Sequence, residues 1–182
     1  MIAKNVRLER LTASAPLLAI CLAVIGCAFG AAGQGTRYRI AANELAGLPI
    51  SPSTPFMKFK SYGPLGESRT TFGHMSCQLF FPAAKLTVRF SAFLSPTTQG
   101  TPATCTFFYA TVRSAQWTTP QGLRVGDTVA TMRHLYPRSV RLNSTSNEWF
   151  LSGKQGSVLH TVLVAFTAHR RVNAVGIDTV GH

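Results

Sequence analysis

The chain has 182 residues and is strongly basic, with 18 Lys or Arg residues, 6 Asp or Glu residues and a formal net charge of +12 at pH 7. Its length allows one domain with a hydrophobic core, and its few carboxylates leave little material for catalysis by paired carboxylates. The charge favours an anionic partner, either an anionic envelope surface or an acidic protein, although a solvated basic surface without a dedicated site is the simpler interpretation. Because the basic residues are scattered and no aromatic and basic stripe accompanies them, we do not expect the chain to bind nucleic acid.

The first 33 residues have the pattern of an export signal. Lys4, Arg7 and Arg10 form a basic region, and an apolar stretch from Ala15 to Ile25 follows it. Small residues come next, as they do around a signal cleavage site. We therefore expect an exported protein.

Three fates of this segment remain open. The run Val24-Ile25-Gly26-Cys27 resembles the lipobox of bacterial lipoproteins, which predicts lipidation of Cys27 and attachment to a membrane. Cleavage beyond Gly30 would instead release a secreted protein. Retention as a membrane anchor is the third alternative, because Ala13–Ala32 carries no charge and approaches the roughly 20 residues that cross a bilayer.

Cys77 and Cys105 are the two cysteines that remain beyond the export segment. An even pair in an exported domain is most simply a disulfide. Such a bridge would stabilise the domain by roughly 3–4 kcal/mol on the chain-entropy model. Neither cysteine belongs to a CxxC motif, so we expect no metal and no other cofactor.

Residues 34–66 are rich in Pro, Gly and Ser, which predicts a tether and an irregular segment ahead of the folded domain. The later part nevertheless contains Phe56, Phe59 and Leu65, and Phe72 follows shortly after. These side chains are too apolar for a simple linker, so we expect this part to pack on the domain.

Residues 67–182 predict an α+β domain with two halves, 67–117 and 118–182. In the first half, strands in the order of a meander are expected at Cys77–Phe81, Leu86–Phe93 and Cys105–Arg113. The middle strand alternates apolar and polar side chains, which is typical of a half-buried antiparallel strand.

The second half opens with the clearest helix signal of the chain. Gly122 and Gly126 allow the backbone to turn, and we expect Asp127 to cap the first turn of the helix. Apolar residues at helical spacing then give one buried face, formed by Val129, Met132 and Tyr136. A helix this short needs a sheet to pack against.

A second meander is expected after the helix, with strands at Glu148–Ser152, Val158–Thr167 and Val172–Asp178. The similar order of the two halves suggests a degenerate tandem repeat, in which the first copy lacks a helical stripe between Glu67 and Met75. The predicted fold class is therefore α+β, with antiparallel sheet and a short helix packed on one face.

The second half also resembles a module of small exported bacterial proteins. The resemblance is carried by the run GLRVGD at Gly122–Asp127, the short helix with Leu135-Tyr136-Pro137, a Trp-bearing strand and the closing segment RRVNAVGID. The module is similar to the repeat of secreted β-lactamase-inhibitory proteins and of the small lipoproteins of the outer-membrane assembly machinery. This resemblance implies short helices on an antiparallel sheet and, by analogy, binding or assembly work. It implies no catalytic residue.

The sequence contains no motif of a serine hydrolase, a zinc protease, or a nucleotide-binding or dinucleotide-binding enzyme. We therefore expect an exported, non-enzymatic binding or cell-envelope protein. The alternative is a small secreted hydrolase with a site around His160, which would need a nucleophile or an acid within hydrogen-bond reach. A further alternative is a protein inhibitor of a secreted or periplasmic enzyme, whose signature would be an exposed aromatic and basic patch spanning both halves.

Overall fold

A computed structural model describes residues 37–73, 76–92, 105–152 and 159–180. The export segment, with Cys27, lies outside the described residues. The helices within the described ranges are α1 (Phe56–Lys60), α2 (Val129–Leu135) and a 3-10 helix (Gly63–Leu65). None of these is long and apolar enough to cross a membrane. The strands are β1 (Tyr38–Ala41), β2 (Glu44–Leu45), β3 (Leu48–Pro49), β4 (Arg69–Gly73), β5 (Ser76–Phe81), β6 (Leu86–Ser91), β7 (Thr106–Val112), β8 (Trp117–Thr118), β9 (Val140–Arg141), β10 (Glu148–Ser152), β11 (His160–Ala168) and β12 (Arg171–Val180).

The strands form two sheets. The larger is antiparallel throughout, with eight strands in the order β4-β5-β6-β7-β12-β11-β10-β9. The smaller has the order β3-β2-β1-β8, and its strands β1 and β8 run parallel. The predicted α+β fold class, with antiparallel sheet and short helical packing, is confirmed.

The hydrophobic core lies on one face of the larger sheet. Leu86, Val88 and Phe90 of β6 are buried, whereas the residues between them are more exposed. Helix α1 packs Phe56 and Phe59 edge-on against the Phe90 ring, with both centroid distances at 5.3 Å. Helix α2 and the smaller sheet complete the same core with Met132, Ile40, Leu45 and Trp117. The helices and the smaller sheet therefore cover this one face.

The two halves of the larger sheet repeat one plan, a short helix followed by a four-stranded meander. The last strands of the halves, β7 and β12, pair at the centre of the sheet, where Thr111 lies opposite Gly176. The pairing between the last two strands of each half shifts register once, at Phe90 in the first half and at Thr167 in the second. In both halves two further residue pairs follow the shift. The two halves are therefore related by an approximate two-fold axis between Thr111 and Gly176.

The helices attach to the sheet in the same way in both halves. The first backbone N–H of α1, on Phe56, donates to the carbonyl of Cys105, which directly precedes β7. The first N–H of α2, on Val129, donates to the carbonyl of Arg170, which directly precedes β12. The helix of the first half thus lies at Phe56–Lys60, before the predicted start of that half, and not between Glu67 and Met75.

The prediction of a tether and irregular segment at 34–66 is wrong where β1 to β3, α1 and the 3-10 helix lie within it. Three of its four prolines occupy positions that do not need a backbone N–H: Pro49 ends β3, Pro55 precedes α1, and Pro64 lies in the first turn of the 3-10 helix. The apolar residues at its end are buried as expected, namely Phe56, Phe59 and Leu65. Phe72, in contrast, is 52% exposed.

Helix α2 begins one residue later than predicted. Its N-cap is Thr128, whose Oγ1 accepts a hydrogen bond from the Thr131 N–H at 3.0 Å. The prediction that Asp127 caps the helix is wrong, because Asp127 Oδ2 accepts from the Arg124 N–H at 2.8 Å and closes the preceding turn instead. The Asp127 carbonyl also accepts from the Val172 N–H, which ties this residue to β12.

The turn before α2 depends on two glycines. Gly122 and Gly126 have φ angles of +91° and +101°, the left-handed backbone that glycine adopts without strain. The Gly126 N–H donates to the Val172 carbonyl at 2.8 Å, so the turn is fixed to β12. This segment positions α2 on the core side of the sheet.

Candidate functional site

The candidate site is the face of the larger sheet opposite the helices, which we call the open face. It consists of the side chains that alternate with the core residues along each strand. The pairing register traces one row of these side chains across all eight strands, from β4 to β9: Arg69, Phe80, Thr87, Thr111, Gly176, Val164, Phe150 and Val140. Phe80 and Phe150 occupy equivalent positions in the two halves.

Aromatic side chains from both halves are accessible on the open face. Phe80 is 37% exposed and Phe150 is half-buried. Arg69 and Arg89 add exposed guanidinium groups in the first half, and Arg89 Nε donates to Gln78 Oε1 at 3.2 Å. The patch is therefore aromatic in both halves and basic in the first half.

The centre of the open face is closed by a pair of aromatic rings. Tyr109 of β7 and Phe166 of β11 lie edge to face, with centroids 6.4 Å apart, although β12 separates their strands. Gly176 of β12 lies beside Phe166, because a Cβ there would be in ordinary contact with Phe166 Cε2 at 3.5 Å. Val162 and Val164 point to this face and are only 4% and 0% exposed, without belonging to the main core. The open face therefore has a small apolar centre of its own.

Two carboxylates, Glu148 and Asp178, stand beside this aromatic pair. Glu148 lies opposite Phe166 in the register, and Asp178 lies opposite Tyr109. Burial raises the pKa of Asp178, which a 2.8 Å hydrogen bond from the Thr179 N–H partly offsets. Burial also raises the pKa of Glu148, and the negative charge of Asp178 raises it further.

Thr111 places an unused polar group in the middle of the open face. Its side chain is 5% exposed, and its Oγ1 has no hydrogen-bond partner within the described ranges. It lies opposite Gly176 and two residues from Tyr109 along β7. A buried hydroxyl without a partner costs about 1–3 kcal/mol, so Thr111 is a local weakness in the folded protein.

His160, the residue around which a hydrolase site is predicted, also lies on the open face. It is half-buried at the start of β11 and pairs with Val180, which places it diagonally from Asp178. Among the described residues, Val180 lies opposite His160, Val162 lies two residues along β11 and Asp178 lies diagonally, and none of these is a Ser or Cys nucleophile. The described part of the chain contains no group of three or more His, Cys, Asp or Glu residues that could hold a metal ion.

The other predicted site residues have structural positions. The Cys77–Cys105 disulfide is confirmed, and both cysteines are buried in the main core, with Cα atoms 6.3 Å apart. Gly122, Gly126 and Asp127 form the turn before α2 and do not belong to the open face. The predicted lipidation site at Cys27 falls outside the described residues.

Sequence reasoning missed the residues at the centre of the open face. Tyr109 and Phe166 come from different halves, so their contact follows only from the pairing of β7 with β12. One signal was available: Glu148 and Asp178 are the two carboxylates that fall inside predicted strands. Carboxylates are rare in largely buried strands because burial of their charge is unfavourable. Both residues lie in such strands because their side chains are on the open face.

Comparison with known proteins does not assign the chain. No protein-family model, no curated protein and no solved structure matches it.

Proposed function

We propose that the protein is an exported, non-enzymatic binding protein that docks a protein partner on the open face. The observation that carries the proposal is the row containing Phe80 and Phe150, in which aromatic side chains of both halves remain accessible. Aromatic residues carry much of the binding energy in protein interfaces. The two residues lie on one row with four strands between them, so a partner that contacts both must also cover the middle of the open face.

The breadth of the open face favours a macromolecule over a small ligand. Its eight strands, spaced by about 4.8 Å, span on the order of 30 Å. A surface of that width can bury the roughly 800 Å² per partner that a stable protein interface needs. Small-molecule sites are enclosed clefts and cavities, whereas this face is a sheet surface.

The more specific form of this proposal is an inhibitor of a secreted or periplasmic enzyme. Its expected signature is an exposed aromatic and basic patch that spans both halves. The open face has aromatic residues in both halves, while its exposed arginines, Arg69 and Arg89, belong to the first half. The resemblance to β-lactamase-inhibitory modules supports the same interpretation by analogy.

Export would bring the protein to the compartment of such a partner. Lipidation at Cys27 would hold it at a membrane, whereas cleavage beyond Gly30 would release it. Lys58, Lys60 and Arg133 are exposed on the helices, on the side away from the open face. These residues favour contact with an anionic envelope surface and would leave the open face accessible to a protein.

A hydrolase is the second candidate, because His160 and Asp178 lie diagonally on one face, and a carboxylate can orient a catalytic imidazole. Ester, peptide and glycan substrates offered to the purified protein test this alternative. Turnover that His160→Asn abolishes would replace the binding proposal. Absence of turnover in wild type would remove the hydrolase from consideration.

The binding proposal is tested by comparing three immobilised proteins for capture of exported proteins from the source organism. These are the wild type, a Phe80→Ser/Phe150→Ser variant of the open face, and a Met57→Ser control. Met57 is 52% exposed on α1, so the control also removes accessible apolar surface but on the opposite side. We expect a partner that wild type and the control retain and the open-face variant loses. Equal capture by all three, or loss only from the control, would contradict the proposal.

A further inference from the structure

We propose that the protein forms a symmetric dimer, in which β4 of one copy pairs antiparallel with β4 of a second copy of the same chain. The dimer joins the larger sheets of the two copies edge to edge. The inference goes beyond the docking function, because it uses the edge of the sheet and not its open face.

β4 is the only long edge strand among the described strands. It has five residues, Arg69–Gly73, whereas the other edge strands, β3, β8 and β9, have two residues each. Natural proteins usually shorten, charge, bulge or cover an edge strand, which prevents its pairing with another chain. β4 contains no proline and no lysine, and it pairs with β5 through five consecutive residue pairs without a bulge. No described strand pairs with its outer side, so its outward N–H and C=O groups can form a further ladder.

Phe72 of β4 is a core-side aromatic residue that is incompletely covered. It pairs with the buried Cys77, so its side chain lies on the core side of the sheet. Its ring contacts the ring of Phe56, with centroids 5.9 Å apart, and yet Phe72 is 52% exposed. A further strand beside β4 would remove more of this ring from water, which is favourable for an apolar side chain.

The sequence of β4 is self-complementary in an antiparallel ladder with two-fold symmetry. Side chains directly opposite each other share a face of the sheet, so the two-fold axis must pass between a residue and its own copy. An axis at Thr71 is the one that pairs all five residues of β4. Thr70 then lies opposite the partner's Phe72, which is a favourable pair of a β-branched and an aromatic side chain. Arg69 lies opposite the partner's Gly73, so no two like charges face each other.

The basic charge of the chain is compatible with this pairing. Arg69 is the charged residue of β4, and in the two-fold register the two copies of Arg69 are about 14 Å apart. This separation exceeds the screening length of about 8 Å at physiological ionic strength. The formal net charge of +12 still opposes the association of two copies. Dimerisation should therefore strengthen as salt is added.

The symmetry of the ladder determines how the two copies are arranged. The two-fold axis between paired antiparallel strands is perpendicular to the sheet, so the open faces of both copies lie on the same side. The helices of both copies lie on the other side. The dimer would therefore present two open faces side by side, and a partner with two binding sites could bind both with increased avidity.

Analytical ultracentrifugation of the purified protein over a range of concentrations tests the dimer. Thr71→Lys and Thr71→Glu each place like charges opposite each other at the two-fold axis, and Leu142→Lys is the matched control directly after β9, at the other edge of the sheet. Thr71 and Leu142 are both exposed, so the variants should fold, and a thermal melt checks this. We expect a monomer–dimer equilibrium in wild type and the control, with a dissociation constant about threefold higher in each Thr71 variant. An equimolar mixture of the two Thr71 variants should associate roughly tenfold more tightly than either variant alone, because lysine then faces glutamate.

Amide hydrogen exchange locates the contact at β4. We expect protection of the outward β4 amides to rise with protein concentration in wild type and to be lost in the Thr71→Lys variant. A wild type that stays monomeric, equal dimerisation of the Thr71→Lys and Leu142→Lys variants, or a mixture of Thr71 variants that does not associate would overturn the proposal. Protection of the outward amides that is independent of concentration would also overturn it, because another segment of the same chain would then occupy the edge.

Discussion

Replacing Gly176 by Ala would strain the junction between the two halves of the sheet. A Cβ at this position would lie 2.6 Å from the Ala110 carbonyl oxygen and 3.2 Å from Val164 Cγ2. The first distance is about 0.8 Å below an ordinary contact, and the obstacle is backbone, so β7 and β12 would have to separate. Overpacking of this kind costs about 1–3 kcal/mol. The lower entropy of Ala in the unfolded chain returns about 0.5–1 kcal/mol, which leaves a net loss of about 1 kcal/mol at the middle of these ranges and about 2.5 kcal/mol at most.

Thermal and urea unfolding at pH 7 measure this loss. A decrease of about 1 kcal/mol corresponds to a fall in Tm of about 2–4 °C for a domain of this size. Thr111→Val is the matched control, because it changes the facing residue of the same strand pair without adding volume and removes a hydroxyl that has no partner. It should leave stability unchanged or higher. If Gly176→Ala unfolded at the wild-type Tm, the close approach of β7 and β12 would be refuted.

Three further predictions concern the free energy of unfolding. Arg170 has φ +60° in the two-residue turn between β11 and β12, a backbone conformation that favours Gly. Arg170→Gly should therefore raise the free energy of unfolding in urea by about 0.5–1 kcal/mol. A free energy of unfolding below that of the wild type would argue against this turn. Reducing the Cys77–Cys105 disulfide, which spans a sequence separation of 28, should cost about 3–4 kcal/mol, and an unchanged urea midpoint under dithiothreitol would contradict this. The pKa values of Glu148 and Asp178 are raised in the folded state, so the folded protein binds more protons than the unfolded chain. Their contribution to the free energy of unfolding therefore falls as pH rises from the unfolded pKa of about 4 through the raised pKa values of the folded state. Glu148→Gln/Asp178→Asn should therefore be more stable than wild type at neutral pH, with a difference that shrinks on acidification; a constant or growing difference would disprove the assigned shifts.

The second half of the fold was predictable because its signals are local. The glycine turn and the helical spacing of α2 lie within one stretch of sequence, and β10 to β12 follow it as a meander. The cap was misassigned by one residue because Asp127 and Thr128 are both good N-cap residues. The choice between them depends on the hydrogen bond from the Val172 N–H to the Asp127 carbonyl, which is a long-range contact.

Helix α1 could not be predicted in the same way. It has five residues and no side-chain cap, and proline precedes it. Such a helix is unstable alone, and it forms because Phe56 and Phe59 pack against the Phe90 ring of β6. Tertiary packing therefore outweighs the weak local preference.

The open face lies beyond what sequence pattern can define. The apolar run of β11 fits a strand covered on both faces, or one covered on one face and edged by a partner. The structure covers one face of β11 with the main core. On the other side Val162 and Val164 are shielded at the aromatic centre formed by Tyr109 and Phe166. These rings meet only because β7 and β12 pair, which no local pattern specifies.

Site-specific photocrosslinking in the source organism tests the central claim most directly. Benzoylphenylalanine would replace Phe80 or Phe150 on the open face and, in a separate control, Met57 on α1. We predict a discrete crosslinked species from positions 80 and 150, competed by excess wild-type protein, and none from position 57. The same species from position 57, or no species from the open-face positions, would contradict the assignment of the open face as the docking surface.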